Sequence, residues 1–275
     1  MHMTKSESRN HTITIDEIHH YLSFFEVEEK WRPERDTYLR DNLFRLQQTL
    51  AILPPGQPDS KLLELGASPY LMTLLLKRYT PYNMFITDFF GNDRPCKVSV
   101  RKYNPEYNKE HVFECDNFNV ERDDFPYPDG FFDMVLCCEL IEHLALDPTH
   151  MLVEIHRVSK PGGRLLITTP NVLVLRHINA LLRKRQNIYG PYSGYGVYGR
   201  HNREWTIDEV IQLVSGCGYQ VESAQVLDTY PHHGYSMWLK KLFPSLRDVI
   251  FVLARAEGEP KSYYPENLYA AMYAK

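Results

Sequence analysis

The side chains able to do chemistry fall at the ends of apolar runs. In Lys61-Leu-Leu-Glu-Leu-Gly-Ala-Ser-Pro69, a run ends in the carboxylate Glu64, the glycine Gly66 and a proline. That order reads as a buried strand, a tight turn and a helix start. Free backbone N–H groups at the carboxyl end of such a strand suit a polar ligand carrying a ribose or a charged group. The same order also serves as an ordinary strand-to-helix turn. One unit further on, Asn83-Met-Phe-Ile-Thr-Asp88 again ends in an acid. In doubly wound sheets an acid at the end of the second strand takes hydrogen bonds from ribose hydroxyls, because a carboxylate can accept two at once from a cis-diol. The plainer role for Asp88 is a turn ahead of Gly91-Asn92. His143 lies just past the apolar run 131–137, and its ordinary pKa near neutrality makes it a candidate general base. A helix-end histidine bonded to backbone is its structural alternative. His201 is a second candidate base, and Arg200 and Arg203 could pair with a carboxylate or phosphate.

These residues need a scaffold, and the periodicity supplies one. Thr14-Ile-Asp-Glu17 is a capping box, followed by Ile15, Ile18, Leu22 and Phe25 at helical spacing. A second helix is expected from about Asp36, with Leu39, Leu43, Leu46 and Leu50 on one face, ending before Pro54-Pro55-Gly56. Strands are expected at 61–65, 83–88, 111–115, 131–137, 164–170, 219–227 and 248–255. Helices are expected at about 70–79, 148–158, 172–185, 206–215 (opened by the capping box Thr206-Ile-Asp-Glu209) and 235–243. The stretch 89–110, broken by Pro95 and Pro105 and rich in Lys and Arg, reads as mostly loop. The two N-terminal helices form a cap over 1–56, either packed on the sheet or acting as a lid, ahead of a main domain over 57–275.

Composition bounds the rest. A net charge of −4 gives no reason to expect a nucleic-acid partner. The five cysteines show no CxxC spacing, and three lie in strand-like runs, as expected of free thiols in a reducing compartment. No apolar run is long enough to span a membrane, and residues 1–9 lack a signal-peptide core, so a cytoplasmic setting without membrane insertion is expected. The pairs His19-His20 and His232-His233 point to different faces of any helix or strand, and no metal site is expected.

The ordered set Leu-Glu-Leu-Gly, an acid ending the second strand, Cys115-Asp116, Phe132-Asp133-Met-Val, Glu139-Leu-Ile-Glu-His143 and Glu154-Ile-His-Arg-Val-Ser-Lys-Pro-Gly-Gly163 resembles class I S-adenosylmethionine-dependent methyltransferases, in their small-molecule branch. The resemblance covers about 61–222. It implies a Rossmann-like α/β fold with helices on both faces and a seven-stranded, mostly parallel sheet whose last strand is antiparallel. It implies S-adenosyl-L-methionine as cofactor. Glu64 and Gly66 match the motif near the methionine portion, with Ala67 and Ser68 where the family usually has further glycines. Asp88, followed by Phe89, matches the ribose ligand. Asp116, with Asn117 beside it, matches the residue meeting the adenine amino group, and Cys138 and Glu139 match positions lining the cofactor and acceptor side.

Transfer of a methyl group requires an acceptor lone pair held in line with the S–CH3 bond. Positioning alone can supply roughly 7–11 kcal/mol in ideal cases, and a base for a hydroxyl acceptor about 10²–10⁴-fold. The stretch 171–205 is long for a connection, and its half from Tyr189 on is a glycine–tyrosine loop. With the cap it would form an acceptor pocket, with Tyr195, Tyr198, Arg200 and Arg203 as substrate-binding candidates for a sugar or other polyhydroxylated or aromatic small molecule. The basic stretch 176–185 suits a solvated helix end or a contact with anionic lipid. Oxygen is the favoured acceptor atom. A nicotinamide-dependent oxidoreductase, which would need the absent GxGxxG, and a non-catalytic cofactor-binding protein are the other classes left open. Oligomeric state is not legible.

Overall fold

Strand β1, Lys61–Leu65, is apolar on both sides and buried on both, as a central parallel strand must be. In the computed structural model, which describes residues 13–26, 32–91, 95–184, 196–229 and 235–269, β1 pairs in parallel with β2 (Asn83–Asp88) and β5 (Phe132–Cys138). The remaining strands are β3 (Cys96–Asn104), β4 (Lys109–Asn117), β6 (Ser159–Pro170), β7 (Tyr219–Leu227) and β8 (Val249–Ala256). They make one eight-stranded sheet in the order β3-β4-β2-β1-β5-β6-β8-β7. The last strand, β8, runs antiparallel to both β6 and β7, as the family resemblance implies.

The eighth strand corrects the reading of 89–110 as loop. β3 forms an antiparallel hairpin with β4 over nine residue pairs, from Cys96↔Asn117 to Asn104↔Lys109. It makes the return stroke between β2 and β4 that a helix makes elsewhere in the sheet. Lys97, Arg101 and Lys102 break its apolar pattern because it is an edge strand, where charges guard unpaired backbone.

Helices cover both faces. On one lie α1 (Ile15–Ser23), α2 (Arg32–Ile52) and α3 (Leu71–Tyr79), packed with Leu62, Met134, Leu136 and Leu166. On the other lie α4 (Thr149–Val158) and α6 (Ile207–Gly216), packed with Leu63, Leu65, Val135, Cys137 and Ile167. The alternation of neighbouring residues between the two cores is the period-two signature of the strands. Helices α5 (Leu175–Leu182) and α7 (Tyr235–Leu242) complete the order. Both capping boxes form: the Thr14 and Thr206 hydroxyls accept from the Glu17 and Glu209 N–H groups, and each glutamate reaches back to its cap. Among the described residues, no helix is long and apolar enough to cross a membrane.

Candidate cofactor and acceptor site

The chain switches direction across the sheet between β1 and β5, and crevices of α/β sheets open at the carboxyl ends of strands at such a point. Gly66 leaves β1 with φ +62°, a conformation that favours glycine, and a Cβ there would press on the tip of Leu140 at 3.0 Å. Ala67 donates its N–H to the Thr87 carbonyl at 2.9 Å, fastening the turn to β2. The sequence leads one to expect left-handed backbone to be costly at Ala67 and Ser68. Tyr70 takes it instead, at φ 72°, immediately ahead of α3.

Residues paired in register on parallel strands share a face. Glu64 pairs with Ile86, Cys115 with Ile86, and Asn117 with Asp88, so these five share one face, while Thr87 and Asp116 share the other. Glu64 is buried and accepts from the Thr73 hydroxyl at 2.7 Å. Burial, with the nearby Asp88 charge adding to it, pushes its carboxyl up to about 8. Asp88 caps the Phe89 N–H at 2.9 Å, and the Tyr70 hydroxyl donates to its other oxygen at a long 3.4 Å. Burial raises its pKa, against the hydrogen bonds from Phe89, Tyr70 and the Ser68 backbone. Glu64 and Asp88 are thus brought together. Asp116 is not with them: the Tyr127 hydroxyl donates to it at 2.7 Å and Lys97 pairs with it at 2.9 Å. Asn117 accepts from the Phe90 N–H at 2.9 Å.

On the β5 side the geometry is denser. Glu139, at φ 51°, donates its N–H to the Thr168 carbonyl and accepts the Thr168 hydroxyl, at 2.8 and 2.9 Å. Cys138 beside it is a half-buried thiol pushed up to about 12 by desolvation. Residues Ile141–His143 form a single 3-10 turn. Glu142 is fully buried: Oε2 accepts the Thr169 hydroxyl at 2.9 Å, while Oε1 has no hydrogen-bond partner. Its carbonyl accepts the Asn202 and Arg203 N–H groups at 2.7 and 3.2 Å, and the Asn202 amide donates to the His143 carbonyl at 2.8 Å. His143 Nδ1 lies 3.0 Å from the Arg200 carbonyl. Since a carbonyl only accepts, this contact puts a proton on Nδ1, and the Tyr198 backbone also bonds the ring. His201 stacks edge-on against His143 with centroids 4.9 Å apart, and its Nδ1 is 3.0 Å from Glu204. Burial opposes ionisation of Glu204, but hydrogen bonds from His177 and His201 outweigh it and hold the carboxyl at about 2. That hydrogen bond raises the pKa of His201, whereas burial and the His201 charge lower that of His143.

Residues 196–205 therefore fold back over the strand ends. Tyr198 packs edge-on against Phe89 at 5.5 Å and accepts from the Asn119 amide at 2.9 Å, so it touches the β2 side as well. Arg200 donates to Asn202 at 3.0 Å. Arg203 pairs with Glu209 at 2.8 Å and lies over Trp205, away from the histidines. Tyr195 lies outside the described residues. The cap also reaches the site, because buried Arg45 of α2 approaches Glu139 at 3.9 Å and the Tyr38 hydroxyl at 3.5 Å.

The methyltransferase-domain family matches residues 32–224, more than two thirds of the chain. The chain belongs to the S-adenosylmethionine-dependent methyltransferases. An uncharacterized methyltransferase of Schizosaccharomyces pombe is 26% identical over 189 residues, 63% of this chain and 65% of that protein. The 27-O-demethylrifamycin SV methyltransferase of Amycolatopsis mediterranei is 27% identical over 138 residues, 50% of this chain and 48% of the relative. The chain thus spans less than two thirds of the length of these relatives. Among solved structures, the methyltransferase crystallised with the Haloferax volcanii Trm112 activator superposes with a TM-score of 0.55 at 16% identity, covering 85% of this chain and all of that one. A Thermotoga maritima S-adenosylmethionine-dependent methyltransferase gives 0.52 at 14%, covering 87% and 100%.

The family's cofactor is S-adenosyl-L-methionine, and the donor set on this methyltransferase suits it. The glycine turn leaves bare backbone where a side chain would collide with Leu140. Two carboxyl groups, Glu64 and Asp88, stand on one face beside it, and a carboxylate can accept from both hydroxyls of a vicinal diol. Sequence reasoning missed Tyr38, Arg45, Glu142, Thr168 and Glu204. Glu142 was present in the quoted Glu-Leu-Ile-Glu-His motif, but nothing local to the other four marks them.

Proposed function

We propose that this chain transfers a methyl group to a hydroxyl oxygen of a small-molecule acceptor such as a sugar, a lipid-linked molecule or another natural product. One observation supports this most: two histidines with ordered Nδ1 partners, His143 just past β5 and His201 on the 196–205 segment, stand against each other. When bound, the cofactor supplies an electrophilic methyl on a sulfonium. Glu64 and the backbone at Gly66, Ala67 and Ser68 would hold its methionine end, and Asp88 with Phe89 its ribose. Asn117, which faces the same side as Asp88, would meet its base together with Asp116, although Asp116 must first leave Tyr127 or Lys97. Cys138 and Glu139 would line the boundary between cofactor and acceptor. His143 and His201 would orient the acceptor hydroxyl and manage its proton, and Tyr198 and Arg200 would close the pocket. Hydroxyl chemistry is favoured because loss of a proton is what this pair of near-neutral groups can assist.

A screen of hydroxylated metabolites with isotope-labelled S-adenosyl-L-methionine tests the reading. The expected result is labelled product with an O-methyl group and stoichiometric S-adenosylhomocysteine. Tight S-adenosylhomocysteine binding without transfer to any acceptor would leave a non-catalytic binding protein. Binding of NAD in its place would leave an oxidoreductase.

A further inference from the structure

At the acceptor end, Glu142, to which the methyl-transfer reading gives no role, joins the two histidines in a set of ligand atoms. One donor atom from each of Glu142, His143 and His201 lies within 4.8 Å of the other two. His143 Nε2 faces Glu142 Oε1 at 3.9 Å. That oxygen belongs to a fully buried side chain and has no hydrogen-bond partner. Leaving a buried acceptor unsatisfied costs about 1–3 kcal/mol, more for a charged group.

Both imidazoles are arranged as metal ligands usually are. A ligating histidine donates its other N–H to a carbonyl or carboxylate, which fixes the tautomer and turns the free lone pair inward. His143 does so to the Arg200 carbonyl and His201 to Glu204, each at 3.0 Å. Glu204 is itself held by His177 at 3.3 Å. Ligand atoms at tetrahedral angles with bonds of about 2.1 Å stand roughly 3.4 Å apart. The set, spread over at most 4.8 Å, would have to contract by up to about 1.4 Å around an ion.

We propose that Glu142, His143 and His201 form a site for a divalent first-row cation such as Mn²⁺, Co²⁺ or Zn²⁺, with open positions for the acceptor's oxygen. Two nitrogens and one carboxylate favour these ions over Mg²⁺ or Ca²⁺, which prefer all-oxygen sets. The site rests on geometry alone. Its role in transfer rests on the methyltransferase reading above, and there it replaces direct base catalysis by the same two histidines. A cation lowers the pKa of a bound hydroxyl. The hydroxyl proton then leaves to water, the acceptor oxygen forms the new O–CH3 bond, and the S–CH3 bond breaks with its electron pair kept by sulfur.

The full chain, stripped with a chelator, is titrated with Co²⁺ while visible ligand-field absorption is recorded, and S-adenosylhomocysteine affinity is measured calorimetrically on the same samples. The expected result is saturable one-to-one binding. His143→Asn, His201→Asn and Glu142→Gln should each weaken it at least about tenfold, and the positioning variant Glu204→Gln about tenfold, with S-adenosylhomocysteine affinity retained. If Glu142→Gln fails to fold, His201→Asn decides, because that side chain is partly exposed. Absence of Co²⁺ uptake, or uptake unchanged in His201→Asn, overturns the site even where S-adenosylhomocysteine binds. Metal binding without S-adenosylhomocysteine binding upholds the site and overturns the methyltransferase reading instead.

Discussion

The two ends of the crevice are built differently. At the β1–β2 end, each chemical group sits at the terminus of its own strand, positioned by backbone and one or two hydrogen bonds: Glu64 by Thr73, Asp88 by Phe89 and Tyr70, Gly66 by its own φ. At the β5 end, groups from three distant segments hold one another: the 139–143 turn, Thr168 and Thr169 of β6, and residues 200–204. The first end is suited to a ligand shared by a whole family, because strand ends are fixed by the fold itself. The second can change by altering one inserted stretch, which is why the proposed acceptor pocket is put there.

Four measurements would sharpen or break that contrast. The largest effect is expected from Gly66→Val, which combines a positive φ with a 3.0 Å collision at Leu140. S-adenosylhomocysteine affinity should fall about tenfold to a hundredfold by calorimetry, the scale of about 1–3 kcal/mol of backbone strain at the turn. Retained affinity would remove the turn from the site. Next, His143→Ala should cut turnover at least about tenfold while S-adenosylhomocysteine affinity stays within about twofold; a loss shared equally by both would mean that the two ends are one unit.

A smaller effect is expected from pH. Burial, with Asp88 adding to it, raises the carboxyl of Glu64 to about 8, so the free protein holds that proton at neutrality. A raised carboxyl pKa stabilises the ligand-free fold at low pH, a contribution lost as pH rises from about 4.5 through about 8. A cationic ligand demands the ionised form, so its binding should release a proton near pH 7 and tighten severalfold up to about pH 8. Binding heats that do not depend on buffer would count against contact with Glu64. The smallest is Thr206→Ala, which removes the cap of α6 and should cost about 1 kcal/mol, lowering Tm by about 2–4 °C without moving cofactor affinity.

Legibility in the sequence followed the same division. Both capping boxes, the strand at 83–88 and the helix ending at Tyr79 are readable because each depends on neighbours a few residues apart. Lys97, Arg101 and Lys102 hid β3, since an edge strand with charges has no clean apolar alternation. Asp116 was placed with Asp88 by motif order alone. Register puts Asp116 on the opposite face and sets Asn117 beside Asp88. The Glu142–His143–His201 group joins positions separated by the whole of β6, α4 and α5, and no local pattern announces that closure. Arg45 looks like any polar residue of an amphipathic helix until α2 is laid across the strand ends.

The N-terminal arm touches the β5 end of the crevice and, on the opposite side of the sheet, the turn of the β3–β4 hairpin. Through α1 it is tied to the β3–β4 hairpin, with Glu26 N–H on the Tyr103 carbonyl at 2.9 Å and the Asn104 amide on the Tyr21 carbonyl at 3.2 Å. Through α2 it places Arg45 beside Glu139. It therefore works as a strut between the edge of the sheet and its centre. Trimming it would free Arg45 from Glu139 at the centre and, in the same stroke, leave the turn of the edge hairpin without its brace.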